Sequence, residues 1–204
     1  MENRDNTIMN TNLLPIVPLR GKVAFPHTSI SFEVGRKVTL KAIERASNND
    51  DRLVLILTQK QTEKDDVEPS DLYTVGCVAK IKQVAQLSGG VIRVLCEGLY
   101  RAKARALSIS ESDGCIYGVA DELPVRHGDE VLEEAYFRTA KALVKDVLAT
   151  DGKIPKETVV KLDKIEDADE YIDVALSAMR VRIDVKQLLL EETHVVERLK
   201  RFEQ

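Results

Sequence analysis

The chain has 204 residues, a mass of 22.8 kDa and 44% hydrophobic residues, enough for one domain or two small ones with a real core. Its formal net charge is −4: residues 1–123 balance sixteen Lys+Arg against sixteen Asp+Glu, and the remainder carries fourteen against eighteen, the reverse of the basic excess that phosphate binding favours. Cys77, Cys96 and Cys115 form no CxxC pair, which argues against a disulfide framework or a thiolate zinc site, and no apolar run approaches the ~18 residues of a membrane span.

Residues 1–12 are polar, with no signal segment, so the expected location is the cytoplasm and the expected state of this leader is disorder. Leu13 to Leu19 is an apolar run interrupted by Pro15 and Pro18, which cannot donate to a ladder; it reads as an edge strand or an extended crossing segment. Ile30, Phe32 and Val34 alternate with Ser29, Ser31 and Glu33 as a half-buried strand. From Arg36 to Ala46 the period becomes helical, with Val38, Ala42 and Ala46 on one stripe. Leu53 to Leu57 is apolar throughout, as a strand covered on both faces should be, and is the expected centre of the sheet.

Val75 to Arg101 has the pattern of a long β-hairpin turning at Ser88-Gly89-Gly90. Val75, Cys77, Ala79 and Ile81 alternate with Gly76, Val78, Lys80 and Lys82, but Val84 falls on the lysine face, which predicts a bulge or bend there. Tyr100, Ala102, Ala104 and Ala106 then alternate with Arg101, Lys103 and Arg105, and Cys115 to Leu123 returns as a last strand before Pro124. Strands with one short helix and no helical crossover predict a small, mostly antiparallel barrel over 13–124.

Over 125–204 the period is helical. Leu132, Ala135, Tyr136, Ala140, Leu143, Val144, Val147 and Leu148 form a stripe ending near Asp151-Gly152, and a short helix after Pro155 carries Val159, Val160 and Leu162. Asp167 with Glu170 resembles a capping box ahead of Tyr171, Ile172, Ala175, Leu176 and Met179. A further helix takes Val185, Leu188 and Leu189, and Thr193 is placed to cap a last one bearing Val196, Leu199 and Phe202. That pattern is still running at Phe202, so the polypeptide is expected to continue, leaving this helix truncated, or the helix to pair with something outside the chain.

No phosphate loop, dinucleotide fingerprint, nucleophile elbow or zinc-protease helix is present, which argues against the corresponding enzymes. His27, His127 and His194 are scattered in loops or near helix starts. Adjacent carboxylates such as Glu133-Glu134 and Glu191-Glu192 diverge by ~100° on a helix and read as solvated faces. Arg101, Lys103 and Arg105 could track a phosphate backbone but lack interleaved aromatics beyond Tyr100, so surface charge is the simpler reading.

Many short motifs occur in one order: Leu-Pro-Ile-Val-Pro-Leu-Arg-Gly with Phe25-Pro26, Val34-Gly35-Arg36, Thr74-Val75-Gly76, Ile81-Lys82-Gln83, Ile92-Arg93-Val94-Leu95, Glu97-Gly98 and Arg101-Ala102. Asp163 to Asp167, Lys186 to Glu191 and Val196-Glu197-Arg198-Leu199 continue the series. Together they resemble the amino-terminal domain of ATP-dependent Lon proteases, with Cys77 where threonine is usual and Leu87-Ser88-Gly89-Gly90 where the family often has Leu-Pro before a polar residue and glycine. The resemblance implies an α+β chain: a PUA-like pseudo-barrel, then an all-α helical bundle leading toward AAA+ and Ser-Lys protease modules. It implies no catalysis and no cofactor here, ATP and Mg belonging to those absent modules. It also implies capture of unfolded or tagged (degron-bearing) substrates and self-association in a ring, a hexamer.

Capturing disordered ligands calls for a tolerant, partly apolar surface with charged edges. The candidates are the rim at Pro26 and His27, the charged side of the first helix at Arg36, Lys37 and Lys41, and the hairpin tip at Leu87. The alternative is a free-standing PUA-like module binding RNA or a small ligand; the acidic balance disfavours RNA, and no nucleic-acid or membrane partner is expected. A third possibility is a region that mainly self-associates through its helices.

Overall fold

The alternating apolar segments form six strands: β1 (Leu13–Leu19), β2 (Ser29–Val34), β3 (Leu53–Thr58), β4 (Val75–Gln86), β5 (Ile92–Ile109) and β6 (Ile116–Glu122), with α1 (Lys37–Ser47) between β2 and β3. They are seen in a computed structural model that describes residues 13–150 and 154–203; the expected leader and the expected helix stop at Asp151-Gly152 lie outside the described residues. The hydrogen-bonded order is β2-β5-β4-β3-β1-β6, and β6 pairs again with β5, so that β5, β4, β3, β1 and β6 close a ring with β2 outside it.

Closure depends on the length of β5. Its first part, Ile92 to Glu97, pairs with β2, and Ala102 to Ile109 pairs with β6. Between Arg105 and Ser108 the register shifts, and Ala106 there takes φ +50°, turning the strand toward its second partner. In the hairpin, Gly89 and Gly90 supply φ of +73° and +76°. The expected irregularity is a bulge between Ile81 and Gln83, with Lys82 as the extra residue, two positions before Val84.

β3 lies between β1 and β4 and is covered on both faces: Val54 and Ile56 join one cluster with Val17, Phe32 and Ala42, while Leu55 and Leu57 join another with Ile16, Val78 and Ile116. β1 is not an edge strand. It divides its length, Leu13 to Pro15 pairing antiparallel with β6 and Ile16 to Leu19 pairing parallel with β3. Each proline is tolerated because no partner runs the whole strand, and the Pro18 carbonyl is taken by the Arg36 guanidinium at 2.9 Å.

The helical part consists of α2 (Glu130–Thr150), α3 (Lys156–Lys164), α4 (Ala168–Ala178), α5 (Ile183–Glu191) and α6 (Val195–Phe202). Asp167 caps α4, accepting from the Glu170 N–H at 2.8 Å. α4 is buried around most of its circumference, and Tyr171 meets Phe137 of α2 edge-on at 5.2 Å. Thr193 does not cap α6. His194 holds that position, and the Thr193 hydroxyl instead accepts from Arg126 at 3.1 Å.

Two helical stripes are also narrower than expected. On α2, Phe137, Ala140 and Val144 are buried, but Leu132 stays 48% exposed, because α4 and α6 cover only one side of the apolar face. On α5, Leu188 is 55% exposed and Gln187 is buried in its stead, its amide donating to the Val75 carbonyl at 2.8 Å. This bond crosses from bundle to barrel. Val23, Phe25 and Val75 belong to the same buried cluster as Leu162, Ile172, Leu189 and Leu199, so the two halves share a core.

Candidate functional site

The strongest electrostatic feature lies where the halves meet. Arg101 on β5, expected at the surface with Lys103 and Arg105, is 2% exposed. It bonds Asp173 and reaches Asp169 at 3.2 Å, and its Nε donates to the Leu190 carbonyl at 3.2 Å. Arg198 of α6 bonds the same Asp169 oxygen and lies 4.0 Å from Asp173. Two cations thus meet two carboxylates one turn apart on α4, a like-charge pair that burial permits only with such partners. Of the remaining basic register, Lys103 and Arg105 are both exposed, and Arg105 is paired with Asp121. The phosphate-tracking alternative thereby loses its row of free cations.

Burial pushes the Asp173 carboxyl up to about 6 against the pull of Arg101, and burial together with Arg101 lowers the Arg198 guanidinium to about 8. Since an unfolded aspartate titrates near ~4, the native state holds the extra proton between roughly pH 4 and 6. The stability due to this group is therefore fully present below that window and is lost as pH rises through about 6. Thermal unfolding of Asp173→Asn between pH 4 and 7 is expected to show a flatter pH dependence than the wild type; an unchanged slope would contradict the assignment.

His27 sits at the edge of this cluster, its Nε2 3.6 Å from Asp169. His27, Asp169 and Asp173 have potential ligand atoms within 4.8 Å of one another, but both carboxylates already face guanidinium groups, so the set does not fit a metal ion. Pro26 is buried and His27 is exposed at φ +60°; its carbonyl accepts from Lys161 of α3 at 2.7 Å. The pair borders a cavity of about 370 Å³ between barrel and bundle, lined also by Leu99, Tyr100, Leu123 and His127. His127 itself contacts Glu133 at 3.0 Å.

The other candidates lie at the opposite end of β2. Lys37 and Lys41 are exposed one turn apart on α1, and Lys41 pairs with Glu44 at 2.9 Å. Arg36 turns away from them, donating to Gln59 Oε1 at 3.0 Å as well as to Pro18. Two recesses flank it, one of about 360 Å³ against β1 and β2, and one of about 480 Å³ walled by Val38, Val67 and Ile109. Leu87 is half-buried at the hairpin turn, which β2 brings toward α1: Val34 opposes Ile92, and Val91 lies beside Gly35.

Asp169, Asp173 and Arg198 were not among the expected site residues. The available signal was the occurrence of aspartates four apart on a helix with a strong apolar stripe. All three cysteines are buried, with thiols pushed up to about 12 at Cys77 and Cys96 and about 11 at Cys115, as small core residues would be. Among the described residues no serine, threonine or cysteine side chain is hydrogen-bonded to a histidine, and no helix is long and apolar enough to cross a membrane.

A closed pseudo-barrel that shares its core with a helical subdomain, its buried charges paired with one another and its recesses open at one rim, has the build of a binding module. The profile of the family described as the ATP-dependent protease La (LON) substrate-binding domain matches residues 13–203, and the chain belongs to that family. It is 32% identical over 191 residues to Lon protease of Clostridioides difficile, covering 91% of this chain and 24% of that protein. It is 37% identical over 186 residues to Lon protease of Syntrophomonas wolfei, covering 91% and 22% respectively. The chain thus spans about a quarter of the length of these curated relatives. The N-terminal domain of a Mycobacterium avium complex Lon protease has the same fold, with a TM-score of 0.77 at 20% identity over 93% of this chain and 95% of that one.

Proposed function

We propose that this chain captures substrates and helps assemble a cytoplasmic Lon-type ATP-dependent protease, taking up unfolded or degron-bearing proteins for delivery to AAA+ and Ser-Lys protease modules. In that assembly, a hexameric ring, ATP and Mg would serve the AAA+ and protease modules. The family match across residues 13–203 carries the reading. The rim at the start of α1 supports its placement, since an apolar recess beside the exposed Lys37 and Lys41 suits a weak, sequence-tolerant grip.

Titration with a permanently unfolded, alkylated polypeptide, read by fluorescence anisotropy, tests this placement. Lys37→Glu with Lys41→Glu is expected to weaken binding roughly three- to ten-fold and to flatten its salt dependence. Arg36 stays intact in that variant because it holds Pro18 and Gln59. Unchanged affinity would remove this rim from the binding surface.

A further inference from the structure

The start of α1 is arranged to receive an anion. Arg36 occupies the N-cap position without capping the helix, and no acidic residue stands in the first turn. The N–H groups of Lys37, Val38 and Thr39 therefore lack a cap, and the positive end of the helix dipole has no counter-charge of its own. The recess of about 360 Å³ at this end is lined by Arg20, Lys22, Phe32, Gly35, Arg36 and Thr39, among others. Thr39, only 4% exposed, has a hydroxyl with no hydrogen-bond partner.

The charges nearby are unequally satisfied. The acids lining the recess, Glu33 and Asp65, are already paired at 2.7 Å with Arg93 and Arg20. Arg36 has only the neutral acceptors Gln59 and Pro18, and Lys22 only the Ser31 carbonyl at 3.0 Å. Burial and the neighbouring Arg20 lower the Arg36 pKa, against the opposing pull of Asp65. The apolar recess of about 480 Å³ adjoins this one, sharing Pro18, Arg36, Thr39 and Asp65 with it.

We propose that the recess at the start of α1 binds the terminal carboxylate of a polypeptide, with the last side chain seated in the adjoining apolar recess. A recess edged by Arg20, Lys22 and Arg36 beside one whose exposed lining is mostly apolar selects a ligand carrying a carboxylate and an apolar group on one Cα, which a C-terminal residue does and an aspartate side chain or inorganic phosphate does not. This rests on the substrate-capture reading and narrows it to chain ends.

The test titrates the 204-residue chain with short labelled unstructured peptides ending in leucine, as free acid, as amide, and as amide with an aspartate before the leucine. The free acid is expected to bind about ten-fold more tightly than either amide. Thr39→Val and Lys22→Gln should each reduce that preference to about two-fold or less; if Thr39→Val fails to fold by circular dichroism, Lys22→Gln carries the comparison. Equal binding of acid and amide would overturn the inference and leave substrate capture standing. Equal binding of the free acid and the aspartate amide would likewise overturn it in favour of any acidic side chain. Binding of none of the three would overturn both readings.

Discussion

Replacing Arg101 by methionine is expected to destabilise the protein by about 3–5 kcal/mol in urea unfolding followed by circular dichroism. Methionine nearly preserves the volume, so the loss is electrostatic. Asp173, fully buried, would keep only Arg198 at 4.0 Å, and the Leu190 carbonyl would lose its donor. Arg101→Lys should recover only part of this, because an ammonium lacks the planar fork that serves Asp169, Asp173 and Leu190 together. A loss below about 1 kcal/mol for the methionine variant would place Arg101 among ordinary surface pairs. The consequence reaches function, because Arg101 is the barrel's charged contact to α4 and α5, and the Pro26–His27 rim lies against the same contact.

Gly98→Ala is expected to cost about 3 kcal/mol, the upper range for overpacking a closed site. A Cβ at Gly98 would stand 2.1 Å from the Phe25 carbonyl oxygen, a backbone atom that cannot swing aside. The close approach exists because the Phe25–Thr28 segment crosses β5 here, with His27 N–H donating to the Gly98 carbonyl at 3.1 Å and Gly98 N–H to the Thr28 carbonyl at 2.8 Å. Pushing that segment outward would also displace His27 from Asp169 and Lys161. Thermal unfolding of the variant checks the cost, and a melting temperature equal to wild type would mean that the crossing yields freely.

What could be read from residues alone follows from how local each cause is. β3, the hairpin turn and the Asp167 cap were legible because an unbroken apolar run, two glycines and an acid ahead of a helical stripe each act within a few positions. The bulge was legible as a break in alternation, although its position, Lys82, depends on the partner strand. Of the two readings of β1, the edge strand fails because its prolines exclude a long ladder but not two short ones with different strands. Arg101 shares its row with Lys103 and Arg105, and only the packing of α4, α5 and α6, far along the chain, makes one member of that row a core residue. The candidate rim was half legible for the same reason: Lys37 and Lys41 follow from the helical period of α1, whereas the recesses beside Arg36 are walled by β1, β2 and residues near Val67, which no local pattern brings together.

Selective binding of unfolded polypeptide is the most direct test of the whole account. One protein substrate, once in its native form and once reduced and alkylated so that it cannot fold, is titrated against the 204-residue chain. The account predicts saturable binding of the unfolded form at micromolar concentrations, in the range expected for weak, transferable capture, and at least about ten-fold weaker binding of the native form. Equal binding of both forms, or none of either, would contradict it.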